Sequence, residues 1–104
     1  MEFIETNIFT KLADMLFTDS EYRELQFALL TNPTVGDLIQ GSGGLRKVRW
    51  NVTTGGKRGG ARIIYYWDAG NKIYMLYGYK KNKQSDLTSE QLKTLSKLVK
   101  EQLK

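Results

Sequence analysis

Between Leu45 and Lys81 the chain falls into three runs in which apolar and polar residues follow a period of two. The runs are LRKVRWNV (45–52), ARIIYYWD (61–68) and KIYMLYGYKK (72–81). A two-residue period belongs to strands that show unlike faces on their two sides. The connections are TTGGKRGG (53–60), a long Gly-rich hairpin loop, and AGN (69–71), a tight turn. Consecutive strands joined this way pair antiparallel. An antiparallel sheet is therefore the frame into which the rest of the chain must fit.

The flanking segments switch to the helical period. Glu2 to Glu5 can form a short first strand, and Asn7 is then the expected N-cap of a helix whose apolar face carries Ile8, Phe9, Leu12, Ala13 and Leu16. Thr18 and Glu21 have capping-box spacing, with Phe17 and Tyr22 placed as its hydrophobic staple. Tyr22, Leu25, Ala28 and Leu29 continue the stripe until Asn32-Pro33 stops it. GSGG (41–44) then breaks regular structure before the strands begin. After them, Thr88 and Gln91 repeat the capping-box spacing, with Leu87 and Leu92 as staple and Leu92, Leu95, Val99 and Leu103 as the stripe. The expectation is a single α+β domain spanning 1–104 in the order β-α-α-β-β-β-α. Its twisted antiparallel sheet has two N-terminal helices packed on one face and a C-terminal helix, with the helices covering one face and leaving the other free.

Composition narrows the chemistry. Cysteine is absent, which removes disulfides, thiolate metal sites and a Cys nucleophile. Histidine is absent too, and with it the commonest general base and metal ligand. No metal site or cofactor is expected. No apolar run approaches the ~20 residues of a membrane span, and MEFIETN lacks the character of a signal peptide, so a cytoplasmic protein with no membrane partner is expected.

Charge is segregated. Residues 1–45 carry seven acids against two Lys/Arg, whereas residues 46–83 carry ten Lys/Arg against Asp68 alone. Such a field attracts polyanions, nucleic acid foremost. Strand alternation sorts the cations. Lys47 and Arg49 point away from Val48, Trp50 and Val52, which seek burial under the helices. Arg62 joins Lys47 and Arg49 if the hairpin register allows, and Lys80, Lys81 and Lys83 lie where they can close the cluster. Two readings of this face stand side by side: a polyanion site, or a solvated face whose charges discourage edge-to-edge aggregation. GGKRGG likewise fits a phosphate-cradling loop or a plain hairpin tip, and it lacks the Walker A spacing. The tyrosines and tryptophans of 65–67 and 74–79 can stack on bases or fill the core; Trp50 and Trp67 are assigned to the core.

LIQGSGGLRKVRW, GKRGGARIIYYW and YGYKKNKQSDLTSEQ together resemble the RelE/HigB superfamily of toxins from bacterial type II toxin–antitoxin systems, in particular the HigB-like branch with GxGGLRKxR and GKRGGxRIIYY. The likeness covers nearly the whole chain. It implies a ribosome-dependent mRNA endoribonuclease that cuts mRNA in the ribosomal A site and so inhibits translation. The implied cut is metal-independent: the ribose 2′-hydroxyl attacks the neighbouring phosphate and expels the 5′-oxygen. It also implies a cognate antitoxin, helix-turn-helix and HigA-like, through whose complex alone operator DNA is bound. Carried over by position, Lys47 and Arg49 match the basic pair on the family's second strand, Arg62 the arginine opening the next, and Lys81 the basic segment after the last. Lys57, Arg58, Lys80 and Lys83 are the further RNA contacts expected.

The chemistry of such a cut suits this inventory. RNA supplies its own nucleophile, and cations placed around the phosphate stabilise charge as it develops. Arg62, with its planar fork, is expected to grip the scissile phosphate. Lys47 or Arg49 would stabilise the phosphorane, and Lys81 would protonate the leaving oxygen. The chain departs from relatives that use His, or a Tyr near the C-terminus: Thr88 stands where that Tyr is expected, and Asn82 near where an Arg occurs. The rival reading is a non-catalytic RNA- or DNA-binding module using the same basic face.

Overall fold

The computed structural model describes residues 1–50, 60–68 and 70–103. The described elements are β1 (Glu2–Glu5), α1 (Asn7–Leu16), α2 (Asp19–Thr31), β2 (Asp37–Leu38), β3 (Leu45–Trp50), β4 (Ala61–Asp68), β5 (Lys72–Lys80) and α3 (Ser89–Leu98), followed by a π-helical turn over Val99–Leu103. The strands form one sheet in the order β1-β5-β4-β3-β2. The α+β class and the expected succession hold, with one strand added, β2, which pairs Asp37 with Lys47 and Leu38 with Arg46.

Two expectations need correction. The sheet is mixed, because β1 lies parallel to β5, pairing Phe3 with Ile73 and Glu5 with Met75. The two helices between β1 and the meander carry the chain back to its starting end, as a parallel pair requires. The second face is not left free either. Phe9, Leu16, Phe17, Leu25 and Leu29 of the N-terminal helical segment bury against Val48, Ala61, Ile63, Tyr65, Ile73 and Met75 on one face. On the other, Leu95 and Val99 bury against Leu45, Ile64, Leu76 and Tyr79. The α3 stripe is an apolar surface that must be covered, and the face opposite α1 and α2 is where it docks.

The helix starts follow local chemistry. Both capping boxes form: Glu21 N donates to Thr18 Oγ1 and Thr18 N to Glu21 Oε1, and the same exchange joins Thr88 and Gln91. The Phe17–Tyr22 staple closes with its rings stacked, 5.0 Å between centroids. The first cap is shifted by one residue. Thr6, not Asn7, accepts from Phe9 N, and its hydroxyl also donates to Leu76 O, pinning the start of α1 to β5.

A bulge decides which residues of β5 share a face. Ile64 pairs with Tyr77 but Tyr65 pairs with Met75, so Leu76 is an extra residue on β5. A strict two-residue period would place Tyr79 with Ile73 and Met75 under the N-terminal helices. The extra residue shifts the phase, and Tyr79 instead faces Arg62 on the α3 side.

Candidate nucleic-acid interface

The β3–β4 register determines where the cations stand. Lys47 pairs with Ile64 and Arg49 with Arg62. Directly paired residues share a face, and Ile64 belongs to the α3 side. Lys47, Arg49 and Arg62 are therefore brought together on one face, beyond the end of the α3 contact. Arg49 is exposed, while Lys47 and Arg62 are half-buried. Tyr79, 5% exposed, continues the row across β5 opposite Arg62.

The Gln84–Leu87 turn closes this row at its margin. Asp86 Oδ1 lies 3.2 Å from Lys47 Nζ, and accepts hydrogen bonds from Tyr79 OH at 3.3 Å and Leu87 N at 2.8 Å. The Leu87 amide, then Lys47, hold the Asp86 carboxyl below the usual carboxylate range. Burial, with Asp86 nearby, pushes the Tyr79 phenol up to about 12. Lys81 arrives from the other side: its amide donates to Gly60 O at 3.1 Å, and its Nζ to Ser85 O at 2.6 Å.

The remaining candidates separate. Lys80 pairs with Ala61, which packs under the N-terminal helices, so Lys80 lies on the opposite face from Arg62. The expectation that it closes the cluster is corrected by that register. Lys83 is exposed in the turn after β5, its amide bonded to Lys80 O. Lys57 and Arg58, Val52 and most of the TTGGKRGG connection lie outside the described residues. Arg46 serves the other face, donating to Gly36 O at 2.8 Å. Trp50 and Trp67 pack against the core under the N-terminal helices, and Trp50 Nε1 donates to Glu21 O at 3.3 Å. Thr88 is the cap of α3.

Sequence reasoning reaches Tyr79 only as one of the aromatics of 74–79 and passes over Asp86. The bulge hides which face Tyr79 takes. Asp86 had a visible signal, as the acid just before the LTSEQ cap within an otherwise cationic stretch, but only the fold brings it across to Lys47. A groove of about 690 Å³ lies apart from the cluster, between α3 and the turn at Gly41 to Gly43. A cationic row can admit an extended polymer and grip it by its phosphates.

Like charges directly opposite each other destabilise a sheet. Arg49 and Arg62 stand opposite each other in that way. Among the described residues no helix is long and apolar enough to cross a membrane. The family model for the RelE toxin of the RelE/RelB toxin–antitoxin system matches residues 36–104, a span that holds every cation and turn residue of this face. By that match over most of its length, the chain belongs to the RelE toxin family, the toxin half of a toxin–antitoxin pair.

Proposed function

We propose that this toxin is a ribosome-dependent mRNA endoribonuclease of the HigB-like branch, acting in the cytoplasm on mRNA in the ribosomal A site. Its cognate antitoxin is a HigA-like helix-turn-helix protein that carries the complex to operator DNA. The observation that carries the enzymatic reading is the Arg49–Arg62 register with Lys47 on the same face. The three cations share one face of the sheet, and a phosphodiester lying along that face would meet all of them.

In the proposed reaction the 2′-hydroxyl oxygen forms a bond to the adjacent phosphorus while the bond from phosphorus to the 5′-oxygen breaks. A 2′,3′-cyclic phosphate and a free 5′-hydroxyl result. The 2′-hydroxyl gives up one proton and the leaving oxygen takes one, so the transfer is proton-neutral. Arg62 grips the scissile phosphate with its planar fork. Lys47 and Arg49 stabilise the charge that builds on the phosphorane. Lys81, held at the end of β5 by the Gly60 carbonyl and the Ser85 carbonyl, protonates the leaving oxygen. Lys57, Arg58 and Lys83 contact the backbone further out, and Lys80, on the other face, is the least engaged of the cations.

Induction of the chain in a bacterium, with mapping of mRNA ends, tests this. The native protein is expected to arrest growth and leave in-frame cuts, and Arg62→Ala to abolish both. A transition-state contact of this kind is worth about 100-fold to 1000-fold in rate. Arrest without new mRNA ends, retained in Arg62→Ala and Lys47→Ala, would favour the binding module and end the enzymatic reading.

A further inference from the structure

We propose that Asp86 is a positioning residue of the cationic face: its carboxylate fixes the Lys47 ammonium and the Tyr79 hydroxyl beside Arg62 before RNA arrives. The proposal rests on the endonuclease reading above. One oxygen, Oδ1, meets Lys47 Nζ, Tyr79 OH and Leu87 N. These partners come from β3, β5 and the approach to α3.

The carboxylate is exposed, at 65%, yet it is anchored. The Leu87 amide fixes it from its own backbone, and Leu87 packs against the core beneath α3. Gln84 Nε2 donates both to Asp86 O at 2.8 Å and to Gln91 Oε1 at 2.7 Å, which fastens the turn to the α3 capping box. Lysine carries its charge on a flexible four-carbon stem. A lysine that is to stabilise a phosphorane without reorganising must be held by something rigid. The anchored oxygen of Asp86 meets that need.

Charge says that Asp86 does not act on the phosphate itself. A carboxylate accepts hydrogen bonds and repels a developing oxyanion, so it works through the groups it holds. Lys47 has donors to spare, since an ammonium carries three; one directed to Asp86 leaves two for the substrate. Tyr79, nearly buried, is paired directly across from Arg62, and Asp86 fixes its hydroxyl.

The test is single-turnover cleavage of mRNA on programmed ribosomes by the full chain and its Asp86→Asn variant. Asn keeps the size and an acceptor for Leu87 N but loses the charge. The expected result is a rate reduced about 10-fold to 100-fold, as for a reacting group set slightly out of place, with affinity for the programmed ribosome little changed. In a Lys47→Ala background the same substitution should cost much less, because the coupling runs through Lys47. A second reading comes from the Tyr79 phenol, assigned by comparison with Tyr79→Phe, whose titration midpoint should fall when the anion beside it is removed. Should Asp86→Asn fold poorly, Asp86→Ser retains an acceptor near the Leu87 amide and serves for the same measurements. Cleavage at or above the native rate, or equal losses with and without Lys47, would overturn the proposal. A native protein that binds programmed ribosomes and leaves mRNA whole would instead sink the endonuclease reading, with no bearing on how the variants compare in the phenol titration.

Discussion

At the scale of single residues, Tyr65 shows how one hydroxyl secures a segment that has little regular structure. Its OH donates to Pro33 O at 2.7 Å and accepts from Gly36 N at 2.9 Å, tying the chain after α2 onto the sheet. A Cβ on Gly36 would stand 2.8 Å from that hydroxyl, so the close approach requires glycine. Gly36 in turn leads into β2, which pairs with β3 at Lys47, so the tether lies one step from the cationic face. Tyr65→Phe would keep the buried ring but strand a buried amide and a carbonyl. The expected loss is about 1–3 kcal/mol, the cost of leaving buried polar groups unpaired, read as a lower urea midpoint with an unchanged slope. An unchanged midpoint would mean that water replaces the hydroxyl without penalty.

At the scale of elements, α3 is set by its cap and its stripe together. Thr88 Oγ1 accepts from Gln91 N at 3.1 Å, and Leu92 and Leu95 bring the helix onto Leu45, Ile64 and Leu76. Thr88→Ala is expected to cost about 1 kcal/mol and Thr88→Ser very little, by thermal or urea unfolding; equal losses would show that the methyl group, not the hydroxyl, matters. Such features are local, which is why they were legible. Both capping boxes, the staple at Phe17 and Tyr22, and the bounds of β4 at Ala61 and Asp68 follow from residues no more than seven places apart. That Lys47 and Arg49 share a face was legible for the same reason, from the period of two, whereas Arg62's place beside them waited on the hairpin register. What stayed hidden depends on distant pairing. The parallel seat of β1 on β5 joins residues some 70 positions apart, and no local signal marks it. The extra residue Leu76 looks like any other apolar strand residue, yet it turns Tyr79 from one face to the other. Asp86 reads as the prelude to a helix cap until β3 is known to pass beside it.

At the scale of the whole molecule, buried and half-buried phenols join its layers. Tyr22 on α2 donates to Glu5 Oε2 on β1 at 2.6 Å, Tyr65 ties the sheet to the segment after α2, and Tyr79 links β5 to the turn before α3. Burial raises all three, with the Glu5 carboxylate adding to the effect at Tyr22 and Asp86 adding to it at Tyr79, which reaches about 12. The fold therefore holds these hydroxyls protonated above the ordinary value of 10.0. The sign follows from linkage: where the folded state binds more protons than the unfolded one, stability falls as pH rises. Their contribution is intact below about pH 10, where both states keep the proton. It is lost as pH climbs from there through the folded values, with about 12 marking the end of the Tyr79 share. Each phenol held neutral contributes a slope of at most ~1.4 kcal/mol per pH unit in that window. Urea midpoints taken on either side of pH 10 should drop on the alkaline side, together with the appearance of phenolate absorbance in one cooperative step. Tyr22→Phe should flatten the alkaline decline, because a ring with no hydroxyl cannot ionise when the chain unfolds. A decline of the same steepness in Tyr22→Phe and Tyr79→Phe would place the alkaline sensitivity outside these phenols and would mean that the hydroxyls seen bridging the layers ionise as freely in the fold as in the open chain.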